Sequence, residues 1–378
     1  MLAAGIWLGG HPQHLPAPLR DAFVDPRAAL STEVTKEIED SYYKAADPKL
    51  LEGASIDGMI AALRKRYGDR FSHYFSPSDF AKFKQLTSGE FSGVGLSVRQ
   101  IKAGLRVTEV FPGTPARAAG IRAGDQIVAV NGRSIARRDA QLTTAEIKGR
   151  PGTRVRVTVV SPPAKARREL TLERRTIQIP VARGRIERAG GKPVAYVRLS
   201  TFSRGSHAAV RDQVDRLYAK GAQGLVLDLR RNGGGLLAEA VLNASNFLPR
   251  GELVVTTKGR RQDTHVYRAF GGPVPRKPMV VLIDRDTASA AEILTAALGD
   301  HRLAEIVGTR SFGKGVFQQV TQLENGGGLD LTVGEYLTPK GLSLAGKGVQ
   351  PDVAASDKPK TKADEGLSRA LAVLGSKL

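Results

Sequence analysis

The chain of 378 residues has no cysteine, which excludes disulfides, thiol nucleophiles and thiolate metal sites and is compatible with an oxidising compartment without establishing one. Aromatic residues make up only 6%, with a single Trp, and acids are outnumbered by bases, 37 against 57, for a net charge of +20. Such an excess attracts polyanions. There is no zinc-ligand set, helix-turn-helix pattern or run of interleaved stacking aromatics, so specific nucleic-acid binding is not expected, and an anionic envelope surface or acidic substrates fit the charge better. Long apolar runs are also missing. Residues 2 to 8, Leu-Ala-Ala-Gly-Ile-Trp-Leu, are apolar but too short to span a bilayer, and no basic residue precedes them; they read as the remnant of an anchor. His-Glu-x-x-His and clustered metal ligands are absent, so neither metal nor organic cofactor is expected. The Gly-x-Ser-x-Gly elbow of many acyl hydrolases is absent too.

What is present is enough apolar sequence, 41%, for more than one buried core. Val34, Ile38 and Tyr42 recur every four residues, and Ile56, Met59, Ile60 and Leu63 mark one face of a second helix, so the N-terminal region reads as helical, packed on the core or on a second copy. The basic segment Arg183 to Arg188 gives way through Gly190 and Gly191 to the strand-like Val194-Ala-Tyr-Val-Arg-Leu199. At the far end, Leu367, Leu371 and Leu374 predict an amphipathic helix after a polar, Pro-interrupted stretch.

The chemistry lies in three residues. Val280-Val-Leu-Ile-Asp-Arg-Asp-Thr-Ala-Ser-Ala-Ala-Glu-Ile-Leu294 passes from an apolar run through a polar turn into a helix-favouring stretch, which places Ser289 at a strand-to-helix junction. There the unused N–H groups of a first helical turn, Ala290 foremost, can receive negative charge developing on an attacked carbonyl. Gly308-Thr-Arg-Ser-Phe-Gly-Lys-Gly-Val-Phe-Gln318 flanks Lys314 with glycines, which permit close backbone packing and are expected to leave the ammonium few charged neighbours; a desolvated lysine loses its proton readily. Gln318 suits the orienting role because an amide oxygen accepts a hydrogen bond without fixing the lysine as a cation, as an aspartate would. None of the six histidines, His11, His14, His73, His207, His265 and His301, lies in a comparable motif. Taken singly, a serine at a helix start is a cap and a lysine between glycines a solvated turn residue.

Together with Gly-Asp-Arg-Phe-Ser-His-Tyr-Phe-Ser-Pro at 68 to 77, Tyr196-Val-Arg-Leu-Ser-Thr-Phe202, Leu227-Asp-Leu-Arg-Arg-Asn-Gly-Gly-Gly235, Tyr336-Leu-Thr-Pro-Lys-Gly341 and Gly348-Val-Gln-Pro-Asp352, these segments make the chain resemble the carboxy-terminal processing peptidases of the Ser-Lys class, across nearly all of 30 to 355. In that family the serine stands 25 residues before the lysine and the glutamine four after it, spacings that Ser289, Lys314 and Gln318 reproduce. The family's alternating serines are reduced here to Thr287, Ser289 and Ala291, leaving one serine as nucleophile.

The resemblance implies an α/β multidomain protein with an α/β, crotonase-like core and a small β-rich PDZ domain. The expected parts are an apolar, Pro-rich segment at 1–27, a helical region at 28–89, the PDZ domain at 90–178, the peptidase core at 179–355 and a linker with C-terminal helix at 356–378. It further implies that the glycine loop supplies a second oxyanion donor, Gly234 or Gly235, with Asp228, Arg230 and Asn232 shaping that loop. Phe91-Ser-Gly-Val-Gly-Leu-Ser-Val98 and Gly124-Asp-Gln-Ile-Val-Ala-Val-Asn-Gly132 carry the likeness to a PDZ domain, in which Val94-Gly95-Leu96 would present N–H groups to a chain terminus and the next strand would accept the peptide. The expected substrates are proteins with apolar C-terminal tails, in an extracytoplasmic, periplasmic or secreted setting. Membrane association through the N-terminus, a homo-oligomer, a regulatory protein and gating of the cleft by the PDZ unit are left open. The rival readings are a noncatalytic tail-binding protein, against which the intact triad weighs, and an esterase, which would not need a tail-binding module.

Overall fold

The computed structural model describes residues 26–46, 51, 56–88, 90–138, 140–162, 166–260, 263–357 and 363–378. The apolar run at 2–8 lies outside them, as does most of the segment before the last helix. The chain forms two compact units, one made of 1–84 and 182–378 and the other of 85–181.

The first unit is built on a six-stranded sheet in the order Ala182–Ala189, Lys192–Leu199, Leu225–Asp228, Met279–Ile283, Glu305–Gly308, Val353–Ala354. Its first pair is antiparallel and the rest parallel. The central strands Leu-Val-Leu-Asp and Met-Val-Val-Leu-Ile are buried at every position, as continuous apolar runs covered on both faces should be. The basic segment expected before the core is itself the first strand. Gly190 and Gly191, both at positive φ, make the tight turn that returns the chain antiparallel. The C-terminal helix Glu365–Gly375 buries Leu367, Ala370, Val373 and Leu374 against this sheet, with Leu371 half-buried at its margin.

A second sheet in the same unit places Gly328–Leu337 between His73–Phe75, Val316–Gln322 and Leu253–Gly259. Pro26–Ser41 and Ile56–Tyr67 are helices whose Val34, Ile38, Met59, Ile60 and Leu63 close over Leu323, Leu329, Leu331 and Val333. The four-residue spacing thus buries one stripe on the chain's own core.

The other unit is a sheet ordered Leu96–Ile101, Gly104–Val110, Gln126–Val130, Arg154–Ser161, Ala166–Glu173, with Arg133–Ser134 beside Gln126–Val130. Its core holds Val94, Leu105, Val107, Ile121, Ile127, Val157 and Leu172. Leu96–Ile101 is an edge strand of that sheet.

Candidate active site

Two loops leave the C-terminal ends of adjacent parallel strands, where open α/β sheets place their ligands. One follows Leu225–Asp228 and carries the three glycines; the other follows Met279–Ile283 and leads into the helix Ala290–Asp300. The loops are tied together, Ala288 N–H donating to the Asn232 carbonyl (2.9 Å) and the Thr287 hydroxyl to the Leu229 carbonyl (2.9 Å).

Ser289 is the residue before the first helical turn, 7% exposed, with φ 55° and ψ −119°. A non-glycine residue held there costs on the order of 1–3 kcal/mol and persists only where its surroundings over-determine it. Its surroundings do so through Glu292. This fully buried carboxylate accepts from Ser289 N–H (2.8 Å) and Lys314 N–H (2.9 Å) on one oxygen, and from Gly313 N–H (2.6 Å) and the Ser311 hydroxyl (2.5 Å) on the other. One side chain therefore fixes the backbones of both the serine and the lysine. Reasoning from the sequence did not single out Glu292, although Ser-x-x-Glu at a helix start is the spacing of a capping box.

Gly234 lies directly against the serine. A Cβ on it would stand 2.8 Å from the Ser289 Cβ and 2.9 Å from the Ala290 nitrogen. Its own N–H donates to Asn232 Oδ1 (2.9 Å). Of the two glycines left open as second oxyanion donor, Gly234 thus has its N–H engaged by the Asn232 side chain in this structure. Among the described residues the N–H groups of Gly235 and Ala290 have no acceptor. Gly235 is held by the bridge to Phe202, whose carbonyl leaves no room for a side chain. Asp228 and Arg230 hold the loop's shape. Asp228 is fully buried and accepts from the Tyr196 hydroxyl (2.7 Å), and Arg230 forks to Asp228 (2.8 Å) and to Asp364 at the last helix (2.8 and 2.9 Å).

Lys314 sits on a loop whose glycines pack on backbone, a Cβ at Gly315 falling onto the Ala345 nitrogen. The close packing is as expected, but the lysine's isolation is not. Burial pulls its pKa down, while Asp330, Asp69 and Glu292 push back in that order. The expectation of few neighbouring charges is corrected by carboxylates that come from other strands and loops. Its ammonium lies 5.0 Å above the ring of Phe71, which in turn meets the half-exposed Phe312. No hydrogen bond joins Lys314 Nζ to Ser289 or to Gln318 among the described residues. The Ser289 hydroxyl instead faces Tyr336, a fully buried phenol pushed above its usual range by burial, with Ser289 offsetting part of that push. Gln318 follows a bulge in its strand and donates from Nε2 to the Thr332 hydroxyl (3.2 Å), which donates to Asp69 (3.2 Å). Among the described residues no group of His, Cys, Asp and Glu could hold a metal ion.

In the second unit, Gly95 is at φ +86° against Thr114, whose Cβ would meet an added methyl at 2.2 Å. The carbonyls of Val94 and Gly95 are taken by Ala116 N–H (2.9 Å) and Phe111 N–H (3.0 Å), and Leu96 opens the edge strand.

The profile described as Peptidase family S41 matches residues 193–355, and one described as a PDZ domain matches 106–161. The chain is 36% identical over 308 residues to a carboxyl-terminal-processing protease of Picosynechococcus sp., covering 81% of this chain and 73% of that one. It is 32% identical over 321 residues to the carboxy-terminal processing protease CtpA of Bacillus subtilis, covering 85% and 67%. Among solved structures, the photosystem II D1 C-terminal processing protease superposes with a TM-score of 0.56 at 31% identity, over 93% of this chain and 98% of that one.

Proposed function

Because the chain belongs to the carboxyl-terminal processing proteases of peptidase family S41, serine-type peptidases with a PDZ domain, we propose that it cleaves protein substrates near their C-terminal tails with Ser289 as nucleophile, Lys314 as base and Gln318 as its orienting partner. The observation that carries this reading is Glu292, which locks the backbones of Ser289 and Lys314 to one carboxylate beside an open first helical turn. Neutral Lys314 takes the hydroxyl proton as Ser289 Oγ bonds to the scissile carbonyl carbon. The carbonyl oxygen collects the charge against Ala290 N–H and an N–H of the Gly233 to Gly235 loop, where among the described residues those of Gly233 and Gly235 have no acceptor. The C–N bond then breaks, the lysine returns its proton to the leaving amine, and a water deprotonated by Lys314 hydrolyses the acyl-enzyme.

The substrate's tail adds as a strand to the open edge Leu96–Ile101, its carboxylate at Val94-Gly95-Leu96, and this favours apolar C-terminal residues. A cell-envelope setting is the reading we favour, supported by the likeness to carboxyl-terminal processing proteases and by the net charge of +20. No described helix is long and apolar enough to cross a membrane. The deciding experiment is cleavage of an unstructured protein with an apolar tail by the native chain, Ser289→Ala and Lys314→Ala, with chelator present throughout. Cleavage by the native chain alone is expected; cleavage that survives Ser289→Ala would overturn the assignment.

A further inference from the structure

Beside the base lies an aromatic surface that the mechanism above leaves unused. Phe312 is 47% exposed, yet the backbone that carries it is held on both sides. Its own N–H donates to the Thr287 carbonyl (2.9 Å), two residues before the nucleophile. Its neighbours Ser311 and Gly313 both donate to Glu292, the carboxylate that also accepts from Ser289 N–H. Gly313, at φ +85°, packs on the backbone of 346–348, where an added Cβ would come within 3.1 Å of both Gly346 and Gly348. The ring is thus presented to solvent by a fixed backbone.

That ring points toward the lysine. It meets Phe71 edge-on, with centroids 6.4 Å apart and planes at 68°, and the Lys314 ammonium stands 5.0 Å over the same Phe71 ring. Phe71 is half-buried and its N–H is taken by the buried Asp69 (2.9 Å), so the second ring is fixed as well; the Arg70 guanidinium is 5.8 Å from its centroid. A single exposed apolar side chain is ordinary. Of the seven exposed large apolar side chains described, however, Phe312 alone has its backbone bonded to the serine's loop and its ring against a ring that carries the base.

The base decides which part of a substrate this surface meets. The group that takes the serine's proton hands it on to the leaving nitrogen, so the ammonium and what surrounds it lie on the leaving-group side of the scissile bond. The first side chain on that side belongs to the residue that supplies the leaving nitrogen. We propose that Phe312, with Phe71 behind it, is a specificity-determining residue: its exposed face seats the side chain of the residue immediately after the scissile bond and selects an apolar one there. This rests on Ser289 and Lys314 acting as nucleophile and base. An apolar side chain on the ring removes carbon from water on both partners. Glycine leaves the ring wet, and a carboxylate at that position would hold the lysine in its charged form.

The test begins by mapping, with mass spectrometry, where the full chain cuts an unstructured protein with an apolar tail. The strongest cut is rebuilt as peptides that keep the tail and vary only the residue after the cut, as Phe, Leu, Ala, Gly or Asp. The native chain should favour Leu over Gly by about 10- to 100-fold in kcat/KM, the scale on which an apolar pocket discriminates. In Phe312→Ala the spread between Leu and Gly should collapse, and Phe312→Leu should keep most of it. An equal loss for all five peptides in Phe312→Ala would mark a structural residue, and a native chain indifferent to the residue after the cut would overturn the proposal outright. A second measurement needs no turnover. In Ser289→Ala carrying Phe312→Trp, with Trp7→Phe to leave one indole, the uncleaved Leu peptide should move the indole emission to the blue and the Gly peptide should not. That shift in a protein whose native form cleaves nothing would leave the aromatic seat standing and count against the Ser-Lys assignment. Cleavage without preference and without the shift would leave that assignment standing and remove the seat.

Discussion

The two halves of the site are held in place by different physics. On the serine side everything is hydrogen-bonded backbone: Ser289 is fixed at a positive φ by Glu292, by the bonded loop of Asn232 and by Gly234 at van der Waals limit. On the lysine side the backbone is equally fixed, but the working atom is not. The ammonium rests over Phe71 among carboxylates, and its proton affinity is the sum of burial against Asp330, Asp69 and Glu292. A nucleophile placed by short neutral or charge-assisted bonds is indifferent to pH over a wide range. A base placed by competing desolvation and charge is not. One half of the site is therefore fixed by hydrogen bonds, and in the other the lysine's proton affinity is left to burial against charge.

The harshest way to break this contrast is Glu292→Ala, which removes the one group common to both halves. It strands a buried hydroxyl and three N–H groups, each bond to a charged acceptor being worth about 1.5–3 kcal/mol. Stability should fall by several kcal/mol, and cleavage should be lost with it; denaturant unfolding checks this, and a loss below about 1 kcal/mol would show that the carboxylate is not the common anchor.

Asp330→Asn should have the next largest effect, in the opposite direction. The native carboxyl is raised from 3.8 to about 6, so its contribution to stability is fully present below pH 3.8 and is lost as pH rises through 6. The full shift corresponds to roughly 3 kcal/mol. The variant should match the native chain near pH 3.5 and exceed it by up to that amount at pH 7.5. Urea midpoints at the two pH values measure the difference, and an equal difference at both would remove Asp330 from the electrostatic half.

Gly234→Ala probes the serine side alone. The added methyl collides with the Ser289 Cβ and the Ala288 carbonyl, both at 2.8 Å, on a residue at φ +96°. About 1–3 kcal/mol of strain is expected, with kcat lowered some 10- to 100-fold and the acid limb of the pH profile unmoved. A shifted limb would mean that the two halves are not separable in this way.

Much of the serine half was legible in the sequence, because strand, turn and helix are contiguous and the apolar run and Ala-rich stretch name the junction. Glu292 was legible as a cap, from the Ser-x-x-Glu spacing, but its tie to the lysine's loop was not, since that depends on which segment packs against the helix start. That the Gly234 N–H is engaged within the loop was not, since it turns on where the Asn232 side chain points. The lysine's environment was hidden for a different reason. Asp69 and Asp330 reach it from an N-terminal segment and from mid-strand, and only the pairing of His73–Phe75 with Gly328–Leu337 brings them together. The helical periodicities at 34–42 and 56–63 showed buried stripes but not that the second sheet lies beneath them.

The smallest expected effect sharpens the lysine half most. Gln318 donates from Nε2 to Thr332, and Thr332 in turn donates to Asp69, so the amide sits at the end of a polarised chain leading to one of the carboxylates around the lysine. In Gln318→Glu the amide donor becomes an acceptor facing a hydroxyl that already donates to Asp69, and a fourth carboxylate is added to Asp330, Asp69 and Glu292, which already act on Lys314. Both changes favour the lysine's charged form. Cleavage at pH 7 should drop by no more than about tenfold and recover at alkaline pH, the reverse of what loss of a carboxylate in Asp330→Asn should do. The double variant Asp330→Asn with Gln318→Glu should return the acid limb toward its native position, since one carboxylate has been exchanged for another. If instead the two changes lowered activity independently at every pH, charge would not be what sets this lysine, and the division between a bonded nucleophile and a tuned base would fall.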